Sequence, residues 1–168
     1  MSKPIVNIAD LELETWSKGE LYAGADARIG PKIGVKDLGI SYSEVPPGKS
    51  SCPFHNHHVE DEMFIILEGE GTYRFGADSY PIRAGDVLGA PAGGQETAHQ
   101  IINTGREPLR YIGFSNNGNA EVVEYPDSGR VRVDVGANGY HYIDATYKEG
   151  LRPVPMGYWD GEDIGEEK

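Results

Sequence analysis

The stretch Gly48-Lys49-Ser50-Ser51-Cys52-Pro53-Phe54-His55-Asn56-His57-His58-Val59-Glu60-Asp61-Glu62-Met63-Phe64-Ile65-Ile66-Leu67-Glu68-Gly69 sets three histidines and a carboxylate ahead of an unbroken apolar run. In an extended chain, residues i and i+2 share a face. His55 and His57 therefore point one way, and Asn56 and His58 the other. A strand is predicted over Glu62–Glu68. Met63 to Leu67 are apolar at every position, so both of its faces should be covered. Glu62, Phe64 and Ile66 form one face, and Met63, Ile65 and Leu67 the other. An exposed row of the second kind is an association surface. Either the N-terminal segment or a second subunit is expected to cover it.

Period-two alternation continues on both sides. Leu38, Ile40 and Tyr42 alternate with Gly39, Ser41 and Ser43 until Pro46-Pro47-Gly48 ends the strand. After Gly69-Glu70-Gly71, Thr72 to Phe75 returns as a hairpin partner. Further strands are predicted over Tyr80–Ile82, Asp86–Ala90, Ala98–Asn103 and Leu109–Ser115. Turn signals every 8–12 residues or so read as a sandwich or barrel. Residues 1–34, broken by Gly19, Gly24, Gly30 and Gly34, read as a lead-in strand or loop that packs on the main body. Beyond Asn116 the pattern weakens. Glu121–Tyr125 and Tyr140–Ile143 read as peripheral strands, and 127–139 as a loop. The acidic tail should dock through Tyr158 and Trp159 and fray at its last residues.

A chain of 168 residues suits one domain. Its 23 Gly and 11 Pro argue against a helix bundle and for an all-β fold of short strands. The net charge of −12 opposes non-specific nucleic-acid binding and attraction to anionic membranes. It leaves room for a small anionic substrate, because a local Arg cluster can overrule net charge. The single cysteine, Cys52, allows no internal disulfide and fits a reducing compartment. No apolar stretch has the length of a signal peptide or of a span of about 18 residues. A soluble, cytoplasmic protein is expected, with no nucleic acid and no membrane as partner.

A fourth imidazole of interest, His99, lies in the strand Ala98–Asn103. His55, His57 and His99 with Glu62 suit one divalent transition metal ion: Zn, Mn, Fe, Ni or Co. Four protein ligands in an octahedral shell leave two positions for a small bidentate oxygen ligand. The blander reading makes the histidines a polar loop and Glu62 an ordinary strand-start charge. His58 should face solvent, and Cys52 should be a small apolar filler. Glu60, Asp61 and Glu96 are expected to be solvated, with Glu96 placed to line a cavity mouth. Arg74, Arg83 and Arg110 read as strand-surface charges, any of which could instead reach a substrate anion. Tyr42, Tyr111 and His141 are secondary candidates for a pocket acid or base.

The spacing carries a family resemblance. Six residues follow Gly48 before His55-x-His57, four precede Glu62, and six more precede Gly69. This resembles the first motif of the cupin superfamily. Gly85, five residues, Pro91-x-Gly93, and then His99-x-x-x-Asn103 resemble the second. The resemblance covers about residues 35–115. It implies a cupin double-stranded β-helix, or jelly roll, with an N-terminal extension over 1–34, a core barrel over 35–115 and a C-terminal extension over 116–168. It implies metal ligands His55, His57, Glu62 and His99, and a two-fold homodimer.

The chain is similar to small single-domain sugar or sugar-phosphate isomerases of that superfamily. That similarity implies a metal-dependent enzyme acting on a small hydroxy-carbonyl or carboxylate compound. The ion would serve as a Lewis acid while a nearby base moves a proton. No Lys within the two motifs, apart from Lys49, completes a phosphate clamp. Fold does not fix reaction. An Fe(II) dioxygenase and a non-catalytic ligand-binding or sensing module are the alternatives. No helix-turn-helix extension is visible, so direct regulation of DNA is not expected.

Overall fold

The computed structural model describes residues 3–116, 120–135, 140–144 and 157–165. Thirteen strands account for most of the described chain. They are β1 (Glu14–Lys18), β2 (Tyr22–Arg28), β3 (Leu38–Val45), β4 (Asn56–His57), β5 (Glu62–Glu68), β6 (Glu70–Phe75) and β7 (Asp78–Arg83). The chain continues through β8 (Val87–Ala90), β9 (His99–Ile102), β10 (Leu109–Asn116), β11 (Ala120–Tyr125), β12 (Arg130–Val135) and β13 (Tyr140–Asp144). One short helix, α1 (Gly30–Ile33), joins β2 to β3.

One sheet runs β1-β2-β3-β10-β5-β8. A second is built from β13-β12-β11-β4 and β7-β6-β9. These two pieces meet where His55 pairs with His99, each donating its backbone N–H to the other's carbonyl. Every strand pair is antiparallel. Val45, Ile66, Tyr73, Ile82, Leu88, Ile101, Leu109 and Tyr111 come from both sheets and form one buried cluster, with Phe64 and Phe75 against it. Burying each such side chain stabilises the fold by roughly 1.5–3 kcal/mol before entropy is counted. The result is the expected all-β jelly roll. Among the described residues, no helix is long and apolar enough to cross a membrane.

The turn between β5 and β6 depends on Gly69, which has φ +85°. A Cβ there would lie 2.7 Å from the Pro108 carbonyl oxygen, so only glycine fits. The sheet register separates the two faces of β5 as its alternation predicts. Ile66 is buried, and Glu62 and Phe64 line a cavity. Met63 on the other face is 40% exposed, and Ile65 and Leu67 are half-buried.

Both ends of the chain add to the sheets. β1 and β2 extend the first through pairing of β2 with β3. β11 to β13 extend the second through pairing of β11 with β4. The expected loop over 127–139 is corrected: Arg130–Val135 is a strand paired on both sides. Val131, Val133 and Val135 alternate there with Arg130, Arg132 and Asp134, a short period-two pattern. Residues 136–139 lie outside the described residues, as do the last three of the tail.

Residues 157–165 fold back on the body, as expected from Tyr158 and Trp159. The Trp159 ring lies 4.8 Å from Tyr22 and 6.0 Å from Trp16. The Ile164 carbonyl accepts the N–H groups of Glu20 and Leu21. Arg130, 2% exposed, donates to Glu162 at 2.5 Å and to the carbonyls of Gly157 and Tyr158, and lies over the Tyr125 ring.

Candidate metal centre

His55 precedes β4, His57 ends it, Glu62 opens β5 and His99 opens β9. Pairing of His55 with His99 therefore brings the two motifs together. The three imidazoles converge on a single carboxylate oxygen. Glu62 Oε2 lies 3.0 Å from His99 Nε2, 3.2 Å from His57 Nε2 and 3.7 Å from His55 Nε2.

The far side of each ring decides which nitrogen faces inward as a lone pair. His55 Nδ1 is 2.8 Å from the Pro53 carbonyl, and His99 Nδ1 is 3.4 Å from that of Thr97. A carbonyl can only accept, so each Nδ1 donates, and each Nε2 is the nitrogen turned toward Glu62. His57 Nδ1 is buried without a hydrogen bond, and its nearest carboxylate is Glu121 at 3.7 Å. Three Nε2 atoms lie 3.0–3.7 Å from Glu62 Oε2, and His55, Glu62 and His99 form a group compact enough to hold a metal ion, while His57 also falls in a group with Glu60 and Glu121.

The electrostatics agree. Burial works against the Glu62 carboxylate, yet hydrogen bonds from His55, His57 and His99 hold its pKa well below the usual range. Burial lowers the His99 pKa, and the neighbouring His55 lowers it further. At His55 burial acts in the same sense, but Cys52 and Glu62 outweigh it and raise the pKa to about 10. The two rings lie 4.5 Å apart.

Glu121 is the residue that the sequence reading missed. It is 4% exposed and sits on β11, sharing the buried face with Val123 and Tyr125. Its carboxylate accepts the backbone N–H groups of His58, Val59 and Glu60 at 2.7–3.2 Å, and that of Val122 at 2.7 Å. It thus fixes the loop that follows the His55-x-His57 segment. The available signal was alternation, which places an acid among apolar side chains.

A cavity of about 820 Å³ opens on His55 and Glu62. Its wall carries Ser41, Ser43, Ser51, Cys52, Phe64 and Tyr111. A second cavity of about 760 Å³ shares Arg28, Pro31, Ser41, Glu62 and Phe64 with it. Tyr111 is held protonated by burial and by nearby Cys52, and shares a 2.5 Å hydrogen bond with Ser51. Tyr42 turns away to donate to Glu44, and burial pushes its pKa to about 12. Cys52 is corrected: it is half-buried on the cavity wall, not a core filler. The His141 side chain lies outside the described residues.

The remaining charges divide as follows. His58 turns outward to Glu124 at 3.1 Å. Glu96 lines neither cavity and accepts the Gly94 N–H within its own turn. Arg74 forms a two-point pair with Asp127 and lies over Phe54, and Arg110 pairs with Glu44 and Glu68. Arg83 lines neither cavity.

Residues 41–115 match the family model described as "Cupin domain". The oxalate-binding protein of Thermotoga maritima is 39% identical over 69 residues, covering 41% of this chain and 54% of that protein. The chain thus spans little more than half the length of this curated relative. Among solved structures, a candidate sugar phosphate isomerase from Acidithiobacillus ferrooxidans superposes with TM-score 0.78 at 26% identity, covering 89% of this chain and 97% of the other. A candidate oxalate decarboxylase from Thermotoga maritima superposes with TM-score 0.58 at 26% identity, covering 67% and 97%.

Proposed function

We propose, from the premise that the chain carries a cupin domain over residues 41–115, that it is a metal-dependent enzyme acting on a small hydroxy-carbonyl or carboxylate compound, of the sugar or sugar-phosphate isomerase type. The observation that carries this reading is the convergence of three imidazole nitrogens on Glu62 Oε2, beside a hydroxyl-bearing cavity that His55 and Glu62 line. His55, His57, Glu62 and His99 would hold one ion: Zn, Mn, Fe, Ni or Co. When bound, that ion supplies Lewis acidity toward a carbonyl or carboxylate oxygen.

The chain's own groups suit a hydroxyl-rich ligand. Ser41, Ser43, Ser51 and the protonated Tyr111 offer donors and acceptors to substrate hydroxyls. Phe64 supplies an apolar wall beside Glu62 that keeps water from one side. The similarity to a candidate sugar phosphate isomerase over nearly the whole of that chain supports the substrate class. The oxalate-binding relative supports a small oxyanion at the same site.

Elemental analysis of protein purified without added metal is the first test. About one divalent transition ion per chain is expected, and an absence of metal would refute the reading. A thermal-shift screen of small hydroxy-carbonyl and carboxylate compounds follows on the same sample, since a bound ligand raises apparent stability. Oxygen consumption with iron as the native metal would select a dioxygenase. Ligand binding without turnover would select a sensing module. A cytoplasmic homodimer belongs to the same proposal, with Met63 at the interface. Sedimentation equilibrium should give twice the chain mass.

A further inference from the structure

Arg28 ends β2 opposite Ser41 of β3. The turn that follows is rigidly held. Ile29 is buried and donates its N–H to the Ile40 carbonyl at 2.8 Å, and Val35 donates to the Gly30 carbonyl at 3.0 Å. This fixes Arg28 and, in α1, Lys32 at the rim of the cavity above His55 and Glu62. Arg74, Arg110, Arg130 and Arg132 each pair with a carboxylate. Arg28 and Lys32 pair with none among the described residues, although each lines a cavity that reaches Glu62.

A chain of net charge −12 repels small anions in general. The same cavity carries Glu12, Glu14 and Asp26. Asp26 is already engaged, accepting the Trp16 Nε1–H at 2.5 Å, and Glu12 and Glu14 are exposed. Arg28 and Lys32, exposed like Glu12 and Glu14, are the cations of this wall, so an anion is held here by direct contact with their donors and not by the general field of the cavity. Arg28 presents a planar fork that matches phosphate or carboxylate oxygens.

We propose that Arg28, assisted by Lys32, anchors an anionic group of the substrate, so that the substrate is a small hydroxylated anion, with its anion at the rim and its reacting end at Glu62. This rests on the enzyme reading above and names its substrate class. The motif histidines alone cannot specify it, because the anchor comes from the segment before the family-matched residues.

The test uses the full chain and titration calorimetry with inorganic phosphate and, separately, with oxalate. Arg28→Gln should weaken phosphate binding by about tenfold or more, the loss of a charge-assisted contact. Arg28→Lys should lose less, and Lys32→Gln should show a smaller loss than Arg28→Gln. Metal content should match wild type in all three. Dependence of oxalate but not phosphate binding on Arg28 would support the anchor with a carboxylate as its group. Wild-type affinity for both anions in Arg28→Gln, or no binding of either anion to wild type, would overturn it. So would anion binding that disappears with a chelator yet ignores Arg28→Gln, since the anion would then sit on the ion. Protein without metal whose phosphate binding still depends on Arg28 would sink the metal reading and leave the anchor standing.

Discussion

His55 and His99 exchange both backbone hydrogen bonds, at 3.1 and 2.7 Å, although they lie 44 residues apart in the chain. Their rings end 4.5 Å apart. The distance between the two motifs is thus set by a backbone β-bridge and not by the side chains. Removing one ligand should therefore leave the barrel standing. His57→Ala should lose most bound metal with little change in far-ultraviolet circular dichroism. His58→Ala should keep its metal, because His58 faces Glu124. Equal metal content in wild type and His57→Ala would contradict the ligand set.

Glu121 acts on the centre without being part of it. Glu121→Ala takes the acceptor from the amides of Val59 and Glu60, while the His58 N–H keeps the Val122 carbonyl at 2.9 Å. Each lost hydrogen bond costs about 0.5–1.5 kcal/mol at these partly exposed positions. Thermal unfolding should begin at a clearly lower temperature. Glu121→Gln, which keeps one acceptor oxygen, should fall between. Metal affinity in Glu121→Gln should drop about 10–100-fold, the usual effect of disturbing a ligand's support. Unchanged affinity in a competition titration would remove Glu121 from this role.

The buried pair Arg130–Glu162 ties the 157–165 segment to β12. Breaking a buried pair from one side leaves an uncompensated charge and costs about 3–5 kcal/mol. Arg130→Met should lower the urea midpoint accordingly and shift Trp159 fluorescence to the red. Arg130→Met with Glu162→Met should recover part of the loss. A midpoint equal to wild type in the single variant would show that the segment is not held this way.

Acid should unfold the chelator-treated protein through Glu62. Its folded pKa lies well below the ordinary 4.5, so the unfolded chain binds the extra proton first. Stability from this group is fully present above about pH 4.5 and is lost as pH falls through the folded value. Glu62→Gln should flatten that acid limb of the stability profile. A steep limb retained in Glu62→Gln would assign it to other carboxylates.

The centre was legible because alternation and spacing are local properties. His55, His57 and Glu62 lie within one short stretch, and the faces of β5 follow from period two. Arg28 was not legible. Its segment has no clear period, and only the pairing of β2 with β3 carries it to the cavity. Glu121 was hidden for the same reason, lying 61 residues from Glu60, whose amide it accepts. The alternation in β12 is complete but short, three valines between charged residues, and it is pairing with β11 and β13 that makes the segment a strand.

The Glu121 tether also imposes an order on synthesis. A ribosome adding roughly 5–20 residues per second needs several seconds to pass from Glu60 to Glu121. Throughout that interval the loop after His57 has its amides open to water. The second motif, with His99, is made within that interval. All four candidate ligands are thus synthesised before the acid that fixes the loop beside them, and that loop is the last part of the centre to take its shape.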